Sequence, residues 1–140
     1  PGELDYLEEP DMFHDVFGHV PLLTHPGYAA FFQAIGELGV RHLHEPEAIT
    51  RLYRLYWFTV EFGLVKEGSE TRIYGAGIVS SIGETRHALS DAVQHHPFDM
   101  ERIVHHAFRN DVMQNAYYVI SSFDALRRSI PEMERALTAA

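Results

Sequence analysis

Cysteine is absent from this 140-residue sequence. That excludes disulfides and thiolate metal ligands and leaves His, Asp and Glu as the groups able to hold an ion. Positive charge is scarce as well: 11 Lys and Arg stand against 20 Asp and Glu, a formal net charge of −9. No nucleic acid and no membrane surface is therefore expected as a partner, since both attract basic protein faces. No apolar run approaches the roughly 18 residues of a spanning helix. The chain also has no basic arm, no internal repeat and no low-complexity linker. Freedom from cysteine suits a reducing compartment, so a cytoplasmic location is expected. The first residue is Pro1 rather than methionine, and the sequence reads as part of a longer protein. Its 46% hydrophobic content is enough for one core, so residues 1–140 are expected to form a single domain.

What the sequence does have is histidine, ten of them. Two stand five apart in Glu9 to Pro21, EPDMFHDVFGHVP, among Phe13, Val16, Phe17, Val20, Leu22 and Leu23. With so many histidines a chance pair is one reading. The apolar frame favours a metal site, because a buried imidazole needs a partner for each ring nitrogen. The run His14-Asp15-Val16-Phe17-Gly18-His19 is not the H-E-x-x-H of a zinc protease, which makes a hydrolytic zinc site a poor alternative. In a regular α-helix five positions turn through roughly 140° beyond a full revolution and aim the two rings apart. The spacing therefore predicts that a short helix ends at Gly18, with His14 in its last turn, His19 just beyond it and Pro21 preventing resumption.

Two imidazoles leave a site incomplete. In Tyr56 to Leu64, YWFTVEFGL, Glu61 is the only charge, flanked by Trp57, Phe58, Val60 and Phe62. A carboxylate so surrounded needs a metal, a cationic partner such as Arg54, or a route to the surface. Two histidines and one carboxylate with open positions describe the facial triad of non-haem Fe(II) oxygenases.

Periodicity predicts a fold that is mainly α with a small β component. Leu22 to Gly27 reads as a turn and Tyr28 to His42 as a core-facing helix that includes Leu43 on its apolar side. A long helix is predicted from Pro46 to about Lys66, ended by Gly68. Thr71–Tyr74 and Gln114–Ile120 are the two expected strands. Ser81-x-x-Glu84 fits a capping box opening a helix over 83–90. Further helices are expected over 98–108, from Ser122 to Arg128, and from Glu132 to Leu137. His95, His96, His105 and His106 are expected to be mostly solvated. Arg41, Arg51, Arg54 and Arg72 are read as solvated positions, none an evident clamp for a substrate carboxylate.

EPDMFHDVFGHVPLL, YWFTVEFGL, YGAGIVSSIGE and YYVISSF, in that order, resemble the catalytic domain of the pterin-dependent aromatic amino acid hydroxylases, bacterial phenylalanine 4-hydroxylases above all. The resemblance covers nearly the whole chain. It implies the C-terminal portion of such a domain, an incomplete aromatic amino acid hydroxylase fold. It further implies Fe(II) held by His14, His19 and Glu61, and tetrahydrobiopterin as the second cofactor. The reaction implied is hydroxylation of L-phenylalanine to L-tyrosine with O2. Asp15 and Tyr56 are then expected near the pterin, and Pro10, Trp57, Phe62, Gly77 and Ser80 around the substrate. Read from the residues alone, Trp57 and Phe62 fit an ordinary aromatic core equally well, and Glu84 stays open between cap and function. The family's pterin-stacking aromatic and its carboxylate-gripping arginine have no counterpart in these residues, and Leu7 stands where animal members carry a substrate-binding threonine. A tyrosine or tryptophan hydroxylase and an inactive iron-binding fragment therefore remain the alternatives. The oligomeric state is not legible.

Overall fold

The computed structural model describes residues 11–139; Pro10 and Leu7 lie outside the described residues. The first long helix, α1 (Pro26–Arg41), starts with Pro26 in its first turn and buries Tyr28, Phe31, Ile35 and Leu38, the three-and-four spacing of an amphipathic helix. It begins two residues earlier than expected because the His25 ring accepts the Gly27 N–H at 3.2 Å and caps it. Leu43, beyond its end, is 66% exposed and is no part of the core.

The second helix, α2 (Pro46–Tyr56), buries Ala48, Leu52 and Leu55, and also Arg51. The Arg51 guanidinium donates to the carbonyls of Ala136, Leu137 and Ala139 and to Glu47 Oε1. It thereby satisfies the orphan carbonyls at the end of α7 (Ile130–Thr138). The expectation that Arg51 is solvated is corrected: helix periodicity cannot show that a distant helix end needs a cation.

The expected continuous helix to Lys66 is also corrected. After Tyr56 the backbone widens into a π-helical turn, Trp57–Glu61, closed by Phe62 N–H donating to Trp57 O at 2.8 Å. It then leaves the helix. Leu64–Glu67 is strand β1, and Gly68, at φ +63°, turns it back into the antiparallel β2 (Glu70–Ile73) with Leu64 opposite Ile73. Gly68 is thus a hairpin residue rather than a helix stop, and the left-handed backbone favours glycine there.

Four strands form the sheet, in the order β2-β1-β4-β3, where β3 is Gln94–Pro97 and β4 is Ala116–Ile120; β4 runs parallel to both neighbours. Ala116, Tyr117, Tyr118 and Ile120 are buried, as befits an inner strand covered on both faces. Two strands were expected. β1 was hidden in the helical period of the preceding segment, and β3, with the sequence QHHP, carries no β preference and owes its shape to pairing with β4.

Short helices complete the fold: α3 (Ala76–Val79), α4 (Ile82–Ala88), α5 (Met100–His105) and α6 (Phe123–Arg128). Ser81, Asp99 and Ser122 cap α4, α5 and α6 through their side-chain oxygens. The helix α1 packs on α6, and α2 packs on α5 and α7. No helix among the described residues is long and apolar enough to cross a membrane.

Candidate metal centre

The two histidines come together by a route the sequence reading did not foresee. No helix ends at Gly18. Residues His14–His19 form a π-helical turn, in which Val20 N–H reaches back five residues to Asp15 O. In that geometry residues five apart lie one above the other, so both imidazoles face the same way. A 3-10 turn, Val20–Thr24, follows with Pro21 in its first turn, where the missing N–H costs nothing. Gly18 is required by proximity: a Cβ there would stand 2.8 Å from that of Ala76, so the turn lies directly on α3.

The second π turn delivers Glu61. His14 Nε2 and His19 Nε2 are 2.9 Å apart, His19 Nε2 and Glu61 Oε1 3.2 Å, and His14 Nε2 and Glu61 Oε2 3.5 Å. Donors about 2.1 Å from one ion and at right angles to each other lie about 3 Å apart, so the residues fit a metal held on one face. The group could hold an ion with all its ligand atoms within 4.8 Å of one another. Glu61 is only 9% exposed. Arg54, its alternative partner, instead donates to Val104 O at 2.9 Å.

Neighbours fix two of these three side chains, His14 and Glu61. Ser80 Oγ donates to Ala76 O at 2.9 Å, so it must accept from His14 Nδ1, also 2.9 Å away. His14 therefore carries its proton on Nδ1 and offers the Nε2 lone pair to the site. Tyr56 OH, five residues before Glu61, donates to Glu61 Oε1 at 2.8 Å. Burial alone pushes the Glu61 carboxyl up, but hydrogen bonds from His19 and Tyr56 and the nearby imidazoles outweigh it and hold the group below its usual value. Burial and the Glu61 charge both raise the Tyr56 and Tyr28 phenols, so each keeps its proton. Sequence reasoning missed Tyr28. A buried tyrosine on a core-facing helix gives no sign of which charge lies near it; among the described residues the Tyr28 hydroxyl has no hydrogen-bond partner.

The remaining expected site residues divide. Trp57 and Phe62 are buried with ring centroids 4.5 Å apart, and Trp57 also stacks on Phe108 at 4.3 Å with planes within 10°. Gly77 lies against that pair, since a Cβ there would come within 2.8 Å of the Phe62 ring and 3.2 Å of Glu61 O. The structure thus links Ser80 to His14, and Gly77 to Phe62 and the Glu61 backbone, while Trp57 packs on Phe62. Asp15 is exposed on the outer side of the first π turn. The Ser81 hydroxyl accepts from Glu84 N–H at 3.2 Å, as a cap should. The Glu84 side chain does not return to Ser81; it accepts from Tyr117 OH and from Gln114 N–H. Only half of the capping box forms.

Residues 2–139 match the family described as biopterin-dependent aromatic amino acid hydroxylase. The chain belongs to that family. It is 52% identical over 128 residues to a phenylalanine-4-hydroxylase of Caulobacter vibrioides, covering 91% of this chain and 43% of that protein. To a Vibrio cholerae phenylalanine-4-hydroxylase it is 48% identical over 125 residues, covering 89% of this chain and 43% of that protein. The structure superposes on cobalt-bound phenylalanine hydroxylase from Chromobacterium violaceum with a TM-score of 0.87 and 43% identity, over 99% of this chain and 52% of that one. The family is one of enzymes, and the chain spans about half the length of the relatives it matches. Its mainly helical fold with one small sheet is that of about half of a phenylalanine hydroxylase catalytic domain.

Proposed function

We propose that residues 1–140 are the C-terminal portion of an aromatic amino acid hydroxylase catalytic domain that holds Fe(II) through His14, His19 and Glu61 and hydroxylates L-phenylalanine to L-tyrosine. The observation that carries this reading is the convergence of His14 Nε2, His19 Nε2 and the Glu61 carboxylate at 2.9–3.5 Å, which leaves the opposite face of an ion free. Iron and a tetrahydropterin, when bound, supply O2 activation and the two electrons that reduce the oxygen atom not transferred to the ring. The chain's own residues bind and orient. Ser80 keeps the His14 lone pair aimed inward, and Tyr56 keeps one Glu61 oxygen in place. Trp57 and Phe62 offer an aromatic wall for the substrate ring, and their burial excludes water from that side. Asp15 is exposed on the first π turn, which leaves its carboxylate free to act as the pterin-side group in this reading.

One observation supports a second reading, that this stretch binds iron without turnover. Met12, Phe13, Val16, Phe17, Val20 and Leu23 are 44–79% exposed in a row beside the histidines, an apolar face that calls for a cover. Arg41, Arg51, Arg54 and Arg72, none of them read as an evident clamp for a substrate carboxylate, all have partners of their own. Arg41 pairs with Glu134 and Arg72 with Glu67 and Glu70, while Arg51 and Arg54 bind backbone carbonyls. The deciding experiment is an iron titration of this chain combined with pterin-dependent tyrosine formation, run beside a version extended upstream. Expected are one bound iron in both and turnover chiefly in the extended protein. Absence of iron binding in both overturns the metal assignment; preference for tyrosine or tryptophan in the extended protein reassigns the substrate.

A further inference from the structure

A buried polar network next to the centre is used by none of these roles, and it turns on Gln114. Its side chain is fully committed, and the chemistry of the partners fixes which way the amide points. The Trp57 indole N–H can only donate, and it gives its hydrogen to Gln114 Oε1 at 3.1 Å. The carbonyls of Arg109 and Val112 can only accept, and they take the two Nε2 hydrogens at 2.8 and 3.1 Å. The Gln114 backbone is held as well: its N–H donates to Glu84 Oε1 at 3.1 Å, and its carbonyl accepts from His87 Nε2 at 2.9 Å. One residue therefore ties the second π turn, the connection over 109–113 and the helix α4 together.

Each of these three parts needs the tie. Residues Arg109, Asn110, Asp111, Val112 and Met113 are all exposed and belong to no helix or strand. Beside them opens a cleft of about 290 Å³ bordered by Phe58, Phe108, Met113 and Gln114. Arg109 pairs with Asp111 inside the segment at 2.6 Å, which shapes it without anchoring it to the body. A stretch with so little buried apolar surface takes its place mainly from hydrogen bonds. Trp57 has the complementary problem. Its indole lies between Phe62 and Phe108, and stacked rings can slide over one another at small cost, whereas an N–H bond fixes the in-plane angle.

We propose that Gln114 is a positioning residue for the aromatic substrate: it sets the orientation of the Trp57 indole and, with the same amide, pins the 109–113 segment beside it. The substrate part rests on the reading of Trp57 as a wall of the phenylalanine site. The two ends of the amide can be separated chemically. Gln114→Glu keeps an acceptor for the indole but turns oxygen towards the two carbonyls. Gln114→Leu removes both ends at similar volume.

Trp57 is the sole tryptophan, so a single indole resonance in a ¹H–¹⁵N spectrum reports on it without assignment. Hydrogen exchange of that indole is expected to quicken roughly tenfold in Gln114→Leu, as loss of one buried hydrogen bond implies, and to stay near the parent rate in Gln114→Glu. Proteolysis within 109–113 is expected to rise in both variants. In the extended enzyme, Gln114→Leu is expected to raise KM for phenylalanine more than it lowers kcat, with iron affinity unchanged. Unaltered indole exchange in Gln114→Leu overturns the proposal, and so does a loosened indole with an unaltered KM. Should Gln114→Leu fail to fold, Gln114→Glu decides: unchanged proteolysis there overturns the pinning of the segment. An unsubstituted extended protein without pterin-dependent turnover overturns the functional reading instead, and the indole measurement still stands apart from it.

Discussion

Ser80 Oγ and His14 Nδ1 lie 2.9 Å apart, with the serine hydrogen already given to Ala76 O, so the serine dictates the tautomer of the imidazole. His19 has no such support among the described residues: its Nδ1 is buried without a hydrogen-bond partner there. Ser80→Ala is therefore expected to lower iron affinity roughly 10- to 100-fold, the usual effect of removing a group that orients a ligand, while leaving the fold intact. Titration with Fe(II), followed by competition with a chelator, measures this. An affinity equal to the parent's would show that His14 is held by packing alone.

Tyr56→Phe removes the donor to Glu61 Oε1 and nothing else of comparable size. Its effect on iron affinity is expected to be similar in direction and smaller, since the carboxylate keeps its second oxygen and both imidazoles nearby. The double variant with Ser80→Ala should be close to additive, because the two hydroxyls act on different ligands. Strong non-additivity would indicate that the ligands move as one unit.

Two glycine replacements are expected to act in opposite directions. Gly36, on the outer face of α1, has nothing within 4 Å of an added Cβ, so Gly36→Ala should stabilise the protein by about 0.5–1 kcal/mol. Gly75 lies with its backbone against that of Glu61, and a Cβ there would come within 2.3 Å of Glu61 O. Gly75→Ala must push α3 away from Glu61, and a loss on the order of 1–3 kcal/mol is expected, with weaker iron binding if Glu61 is the ligand proposed. Urea denaturation and iron titration of the two variants read both effects.

Glu84 contributes a pH dependence of its own away from the histidine and glutamate cluster. It is 0% exposed, and burial raises its carboxyl above the model-compound value of 4.5 despite hydrogen bonds from Tyr117 and Gln114 that pull the other way. A carboxyl raised on folding is held more tightly as the acid in the native state. Its contribution to stability is therefore complete below 4.5 and is lost as pH climbs from there through the raised folded value. Glu84→Gln, which cannot ionise, should flatten that decline in iron-free protein. Identical stability-versus-pH slopes in parent and variant would assign the dependence to other groups.

The parts of this architecture that depend on neighbouring residues were legible in the sequence. The amphipathic period of α1, the proline start of α2 and the start of α6 at Ser122 all follow from local chemistry, and each is where the sequence puts it; the start of α1 is not, because Pro26 was read as part of a turn. So was the grouping of Glu61 with His14 and His19, because a lone carboxylate in YWFTVEFGL has few destinations, and the structure brings the three side chains together. Its geometry was not legible. A count of five between histidines was read against the α-helix, the commonest helix, which made a helix break at Gly18 seem necessary. The π turn depends on packing against α3, which a local pattern does not show. Arg51 and Gln114 escaped for a related reason: each answers a need created far away in sequence, the end of α7 in one case and the indole of Trp57 in the other. The β3 strand, QHHP, becomes a strand only because β4 lies beside it.

The two π turns also determine which kinds of sequence change the centre can absorb over evolutionary time. Between His14 and His19, the side chains of Asp15, Val16 and Phe17 are exposed, so exchanging them leaves the ligand geometry alone. Deleting any one of them is different in kind. It would turn a five-residue interval into a four-residue one, close the turn as an ordinary α-helix, and carry every residue before it round by about 100°. The same holds between Tyr56 and Glu61, where the hydroxyl and the carboxylate meet only at that interval. Both stretches are strict about the count, but only the first tolerates changes of spelling, since Trp57, Phe58, Thr59 and Val60 in the second are buried; lineages that keep the chemistry are expected to vary by substitution between His14 and His19 while excluding insertions and deletions from both.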